Sequence, residues 1–338
     1  MTPLLSVIIL SYNGRSWIEP CLRAVATQME APPYEVLFVD NGSRDGSIDL
    51  VRTAFPTVRI VNNERNLGYA AGNNAGARAA RGTHLVFLNN DTIPAHDWLH
   101  ELYLAHVGAP DRSMVTSRVV CLDRPDVLDS AGDGYLRAGG AFKHGHGESV
   151  GSFVRSQEVF GACGAAFLIT RDLFERLDGF DEHFFMVYED VDLSYRARLV
   201  GHHCWYAANA VVRHAGSGTL VRASDAAVFY GQRNLEWTWM KNTPTPLLLA
   251  TLASHAAYSV AGVAHYVAAG RGRAAIGGKL AALRALPRVW RQRRVVQRTR
   301  TVERGAIERL MAAGWIALKR REKSARLDLP DHENRRIW

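Results

Sequence analysis

Ser6-Val7-Ile8-Ile9-Leu10-Ser11-Tyr12-Asn13 runs through four consecutive apolar residues and then turns abruptly polar. An unbroken apolar run of this length, closed by turn residues, reads as a strand buried on both faces. The same pattern returns downstream. Residues 35–39 lead into Asp40-Asn41-Gly42-Ser43, and residues 84–88 lead into Asn89-Asn90-Asp91-Thr92. Further strands are expected at 58–61 and 115–121, with amphipathic helices at 17–26, 47–55, 72–80 and 97–107. Four β-α units in about 110 residues predict an α/β fold: a mostly parallel, Rossmann-like sheet with helices on both faces.

Beyond that half the signal thins. Residues 122–160 hold seven glycines among polar residues, an irregular segment of the length that usually carries function. A strand at 164–170, helices at 172–177 and 191–200, the second closed by Gly201, and a strand ending at His214 complete the body. A helix over 225–240 stops ahead of Pro244 and Pro246, which places a boundary between a domain of residues 1–241 and an extension of residues 242–338.

Charge divides at the same place. The chain has 338 residues and a formal net charge of +8. Residues 1–240 carry 21 Lys and Arg against 27 Asp and Glu, a net of −6, whereas residues 241–338 carry 20 against 6, a net of +14. An acidic body with a basic tail has to be explained in both parts. The four cysteines, Cys21, Cys121, Cys163 and Cys204, are scattered without a CxxC pair, which argues against a zinc site or a disulfide framework and for a reducing compartment. No Lys or Arg precedes the first apolar run, so it reads as a strand and not as a signal peptide.

Ligands of doubly wound sheets sit at the carboxyl ends of strands, which directs attention to the polar residues after each run. Each could also be a simple turn or helix cap. The stretch from Asn66 through Gly68, Gly72, Asn73 and Asn74 to Gly76 lacks both GxGxxG spacing and a Walker lysine, which disfavours a hydride-transfer enzyme and a P-loop NTPase. Its glycines permit close backbone approach, and Asn73 and Asn74 could cap the helix that follows. Asn89 and Asp91 after a strand, with His214 as a distant third ligand flanked by Arg213 and Ser217-Gly218, offer the hard donors that Mg²⁺ or Mn²⁺ takes. Glu189-Asp190-Val191-Asp192 sets three carboxylates in four positions behind the aromatic approach His183-Phe184-Phe185-Met186-Val187-Tyr188. This is either an acid-started helix with Asp190 as its cap or a partly desolvated general base.

Taken in series, Ser6 to Asn13, Val39 to Ser47, Asn66 to Asn74, Phe87 to Thr92, Gly179-Phe180-Asp181-Glu182 and Glu189 to Leu193 closely resemble the family 2 glycosyltransferases of the GT-A fold, and within them the rhamnosyltransferase-like bacterial branch. The resemblance covers residues 4–241. It implies that Asp40 binds the uracil or thymine base or the ribose of a nucleotide-sugar donor, with Ser11 and Asn13 lining that pocket and Asn66, Gly68, Asn73 and Asn90 on the donor side. Asn89 and Asp91 stand where the family has its Asp-x-Asp metal motif, with Asn in the first position, and His214 matches the late histidine of that site. Asp190 matches the catalytic base. Glu189, Asp192 and Arg196 would shape its surroundings, Gly164 would lie beneath the acceptor, and Arg233 near the diphosphate or acceptor channel. The implied reaction is an inverting hexosyl transfer, most naturally of rhamnose from dTDP-rhamnose, otherwise of galactose, galactofuranose or glucose from a UDP-sugar, onto a glycan or polyprenyl-linked acceptor during cell-surface polysaccharide synthesis.

The tail then has a reading of its own. Residues 247–270 contain no Lys, Arg, Asp or Glu, which is enough length to span a bilayer. Their alanines, His255 and His265 make insertion weak, so a helical extension packed on the body or lying in an interface is expected instead. Arg284, Arg288, Arg291, Arg293, Arg294, Arg298 and Arg300 alternate with Leu283, Leu286, Val289, Trp290, Val295 and Val296, a basic amphipathic pattern suited to the anionic inner face of the cell membrane. That predicts a cytoplasmic, peripherally attached protein. A nucleotidyltransferase would need a glycine- and lysine-rich loop after the first strand, where only Arg15 is found. A nucleic-acid-binding protein would account for the tail but not for the acidic body, and no nucleic-acid partner is expected.

Overall fold

The computed structural model describes residues 2–109, 114–216 and 224–318, so Ser217-Gly218 lie outside it. Its first half is β1 (Leu5–Ser11), α1 (Arg15–Ala26), β2 (Tyr34–Asp40), α2 (Ser47–Ala54), β3 (Arg59–Asn62), α3 (Gly68–Ala79), β4 (His84–Asn89), β5 (Thr92–Pro94), α4 (Trp98–Gly108) and β6 (Met114–Cys121). The irregular segment holds four short strands, β7 (Leu128–Ser130), β8 (Asp133–Tyr135), β9 (Ala141–Lys143) and β10 (Gln157–Val159). Then follow β11 (Ala166–Thr170), α5 (Arg171–Arg176), α6 (Glu189–Leu199), β12 (Cys204–His214), α7 (Asp225–Asn242), α8 (Thr245–Ala268), α9 (Gly272–Arg284), α10 (Leu286–Thr299) and α11 (Arg304–Leu310).

The main sheet runs β10-β12-β6-β11-β4-β1-β2-β3, with β5 on β12 and β7 on β6. The pairs β1–β2, β1–β4, β2–β3 and β6–β12 are parallel, and β11 is antiparallel to both β4 and β6. This is a mixed α/β architecture with a mainly parallel centre and a helical C-terminal region. Period-two alternation splits β1 between two cores: Ile8 joins Leu37, Phe87 and Phe167 on one face, while Val7 and Ile9 join Phe38, Val86 and Trp98 on the other. Phe87, Phe167, Phe174 and Phe180 meet ring to ring with centroids 5.1 to 6.3 Å apart. Burying each such ring stabilises the fold by about 1.5–3 kcal/mol.

Register aligns the polar strand ends. Ser11 pairs with Asp40 and Leu10 with Asn89, so three strands stop along one edge. His214 pairs with Thr92, bringing the far end of β12 beside Asp91.

Two expectations are corrected. Helix α3 begins at Gly68, four residues earlier than the pattern predicts, so Asn73 and Asn74 lie inside it and cap nothing. Helix α6 begins at Glu189 with Tyr188 in the cap position, so Asp190 is in the first turn and is not the cap.

The extension packs on the body. Lys241 is buried between Asp181 (2.7 Å) and Asp192 (2.8 Å). From α10, Arg293 donates to the carbonyls of Met240 and Thr243, Gln297 to that of Asn242, and Gln292 to Asp181. Ile307 and Met311 join Tyr135, Phe160, Tyr195 and Leu247 in one small core.

Candidate functional site

The donor side is built on turns. Asp40 is fully buried at the end of β2, and its Oδ2 accepts the amides of Gly42 (3.0 Å) and Ser43 (2.9 Å). Its Oδ1 is buried with no partner among the described residues, an acceptor held open at the strand end. Ser11 Oγ accepts from the Asn90 amide at 3.0 Å, while Asn13, at φ 51°, accepts the Arg44 N–H at 2.9 Å. Asn13, Arg15 and Asp45 line a cleft of about 570 Å³.

Three of the expected donor residues make scaffold contacts. Asn66 Oδ1 accepts from Gly68 and from Asn41, whose own Oδ1 takes the Leu67 N–H. Gly68 sits at φ +82° with the Phe185 ring and carbonyl 2.5 Å from where a Cβ would lie. The Asn73 amide donates to the Tyr69 carbonyl one helical turn back.

Asp91 and His214 come together as the sequence predicts, with His214 Nε2 3.3 Å from Asp91 Oδ1. Asn89 ends β4 two residues away, partly buried. His214 Nδ1 meets Asp129 Oδ2 at 2.8 Å, and Asp129 is also 2.8 Å from Lys143 Nζ. Burial works against the imidazolium, yet hydrogen bonds to Asp129 and Asp91 prevail and lift His214 to a pKa of about 8. Burial likewise opposes an ionised Asp129, but Lys143 and the two histidines His146 and His214 hold it well below the usual carboxylate range. Among the described residues no group of three or more His, Cys, Asp or Glu side chains is placed to hold a metal ion. The Asp91 carboxylate and the His214 imidazole, 3.3 Å apart, are donors that fit a cation keeping open positions for phosphate oxygens.

Across the site Asp190 stands partly open to solvent. Its Oδ2 accepts the Gly164 N–H at 2.8 Å and its Oδ1 the Val191 N–H at 2.8 Å. Desolvation pushes its carboxyl up, against those backbone donors. Burial and the Asp190 charge push Glu189 far up, and its Oε2 lacks a partner among the described residues. Asp133, from the irregular segment, is pushed up by the same two causes. Tyr69 closes the floor by donating to the Gly164 carbonyl at 2.7 Å.

The other expected neighbours face structural tasks. Asp192 is bound by Arg196 Nε (2.8 Å), Lys241 (2.8 Å) and the Asn242 amide (2.8 Å), with no exposed side chain. Arg196 also donates to the carbonyls of Leu177 and Gly179, fixing the turn before the acidic helix. Arg233 donates to the carbonyls of His183 and Phe184 and lies over Trp237 at 4.1 Å. Asp129, Asp133 and Lys143 were missed by sequence reading. Their only signal was membership of a long segment without periodicity.

Comparison with known proteins follows this geometry. The family model "Glycosyl transferase family 2" matches residues 6–178. Glycosyltransferase AglE of Haloferax volcanii is 40% identical over 101 residues, 29% of this chain and 33% of that protein. N-acetylglucosaminyl-diphospho-decaprenol L-rhamnosyltransferase of Mycobacterium tuberculosis is 26% identical over 245 residues, 63% of this chain and 76% of that one. The chain spans only 23% to 33% of the length of the first curated relatives it matches. The mannosyltransferase of Pyrobaculum calidifontis, solved with GDP-Man and Mn²⁺, superposes with a TM-score of 0.52 at 22% identity, covering 88% of this chain and 86% of that one.

Proposed function

The chain belongs to glycosyl transferase family 2, and from that premise we propose that it is an inverting glycosyltransferase acting from a nucleotide diphosphate sugar onto an acceptor hydroxyl. The observation that carries this is Asp190, a recessed carboxylate aligned by the Gly164 and Val191 amides at 2.8 Å each; at the end of β2, Asp40 keeps a buried Oδ1 with no partner among the described residues. Uracil and thymine both present an imide N3–H, which a carboxylate oxygen accepts, so Asp40 suits a dTDP- or UDP-linked donor. Rhamnose from dTDP-rhamnose is the first choice of sugar, with UDP-galactose, UDP-galactofuranose and UDP-glucose next. The acceptor is a glycan or polyprenyl-linked hydroxyl in cell-surface polysaccharide synthesis.

Asp190 takes the acceptor's proton as its oxygen attacks the anomeric carbon and the diphosphate departs from the opposite face. A single displacement inverts the configuration. Asp91, His214 and Asn89 would hold Mg²⁺ or Mn²⁺, which when bound neutralises charge on the leaving diphosphate. Ser11 and Asn13 shape the nucleoside pocket through Asn90 and the 43–44 turn.

Residues 1–241 would form the catalytic domain and residues 242–338 an extension that docks on an anionic membrane from the cytoplasmic side. Helix α8 is the one described helix long and apolar enough to cross a bilayer, and only 22% of its most apolar window is buried. Leu249, Val260 and Val267 on α8, Leu283 on α9 and Trp290 on α10 are exposed, and a cleft of about 470 Å³ lined by Val260, Val263 and Leu283 opens among them. A lipid interface suits this combination of apolar surface and the exposed Arg291, Arg294 and Arg298 of α10; Arg293, expected on the same basic face, is instead buried against the body.

A panel of nucleotide sugars with Mg²⁺ or Mn²⁺ tests the reading: one donor should be turned over with inverted product. Turnover of none, or full activity in Asp190→Asn, would defeat it.

A further inference from the structure

We infer that Asp129 is a positioning residue that holds His214 with its Nε2 turned toward Asp91. The inference rests on the reading above, in which Asp91 and His214 share a cation. Asp129 arrives by topology. Strand β12 lies along one edge of β6, and β7 takes the other edge at Val119 and Val120, beyond the stretch at Val115 and Thr116 where β11 pairs. His214 and Asp129 therefore meet across the end of β6, their side chains 10% and 3% exposed.

The hydrogen bond fixes the ring. Lys143 Nζ lies 2.8 Å from Asp129 Oδ2, the same oxygen that meets His214 Nδ1 at 2.8 Å. A carboxylate kept ionised by an ammonium has no proton to give, so Nδ1 is the donor. The other nitrogen, Nε2, is then the one that faces Asp91 at 3.3 Å. An outer carboxylate that sets the tautomer and plane of a histidine commonly strengthens metal binding by 10- to 100-fold. Asp129 has a second attachment, with His146 Nδ1 3.3 Å from its Oδ1, so the carboxylate is itself held against rotation.

The test is Mn²⁺ titration of the full chain, followed by electron paramagnetic resonance in the presence of whichever of UDP or dTDP the wild type binds. Asp129→Asn should weaken Mn²⁺ about 10- to 100-fold, and Lys143→Gln, which removes the ammonium beside that carboxylate but leaves its oxygens to accept from His214, should weaken it less than Asp129→Asn does. In a His214→Gln background, Asp129→Asn should add nothing. Unchanged Mn²⁺ affinity in Asp129→Asn, or effects of the two substitutions that simply multiply, would overturn the inference. Should Asp129→Asn fail to fold, ¹⁵N resonances of His214 in the wild type at pH 9.5, assigned by their loss in His214→Gln, decide it: protonation on Nδ1 supports the assignment and protonation on Nε2 refutes it. A wild type that binds no Mn²⁺ with nucleotide counts against the metal reading alone, and the tautomer still decides the role of Asp129.

Discussion

The Gly164 amide points at Asp190 Oδ2 from 2.8 Å, and a methyl group placed on Gly164 would stand 2.7 Å from that same oxygen. The proposed base is thus seated on a residue at which a Cβ would press on its carboxylate. Gly164→Ala should displace the carboxylate by several tenths of an ångström and lower kcat by about 100-fold, with the KM for the donor little changed. Steady-state kinetics on the correctly folded variant checks this; a kcat within threefold of wild type would contradict it.

Asp190 must be ionised to accept a proton, and its carboxyl is pushed up by desolvation. Activity should therefore fall toward acid at a higher pH than an ordinary aspartate would give. Asp190→Asn should lose about 100- to 10,000-fold in kcat and lose the acidic limb altogether. A pH profile of kcat/KM for the two proteins is the measurement.

Glu189 has a folded-state pKa raised well above its unfolded value by burial and by Asp190. Such a group contributes stability below its unfolded pKa, and this is lost as pH rises through the folded pKa. Glu189→Gln should accordingly raise Tm by a few degrees at pH 8 and not at pH 4. Calorimetry at both values is decisive, and an equal shift at each would be incompatible with this account.

Lys241 is 3% exposed and bridges two carboxylates that are themselves 9% and 0% exposed. Lys241→Met would leave Asp181 and Asp192 buried with one ion fewer, and breaking a buried pair this way costs about 3–5 kcal/mol. Equilibrium unfolding in urea should show that loss.

Asp40→Asn keeps a carbonyl for the Gly42 and Ser43 amides while placing an NH₂ at the open position. Losing a hydrogen bond to a charged group costs about 1.5–3 kcal/mol, which predicts nucleotide binding about 10- to 150-fold weaker. Titration calorimetry with UDP and dTDP measures it.

Strands β1, β2 and β4 were legible because each is built on a continuous apolar run, and their ends because polarity changes sharply at Ser11, Asp40 and Asn89, whereas the three-residue strands β5 and β7 to β10 have no such run. What escaped was decided by contacts distant in sequence. Asn74 looks like a cap, but its amide donates to the Phe180 carbonyl and its oxygen accepts the Phe180 N–H, 106 residues away, so it is drawn inside α3. Asp129 sits in a three-residue strand that acquires meaning only where β6 brings His214 alongside. The sequence placed Asp192 and Arg196 only in the surroundings of Asp190; that Arg196 binds Asp192 and the carbonyls of Leu177 and Gly179 required the fold.

Gln292 of α10 and Lys241 of α7 share a single oxygen of Asp181, and Lys241 continues to Asp192, two residues along from the proposed base. The extension is therefore wired to the reaction centre through three side chains. Cutting the chain after residue 241 would remove α10's hold on that relay and on the carbonyls of Met240 and Lys241, so a shortened chain that still folds would be a poor measure of what the intact one does at a surface.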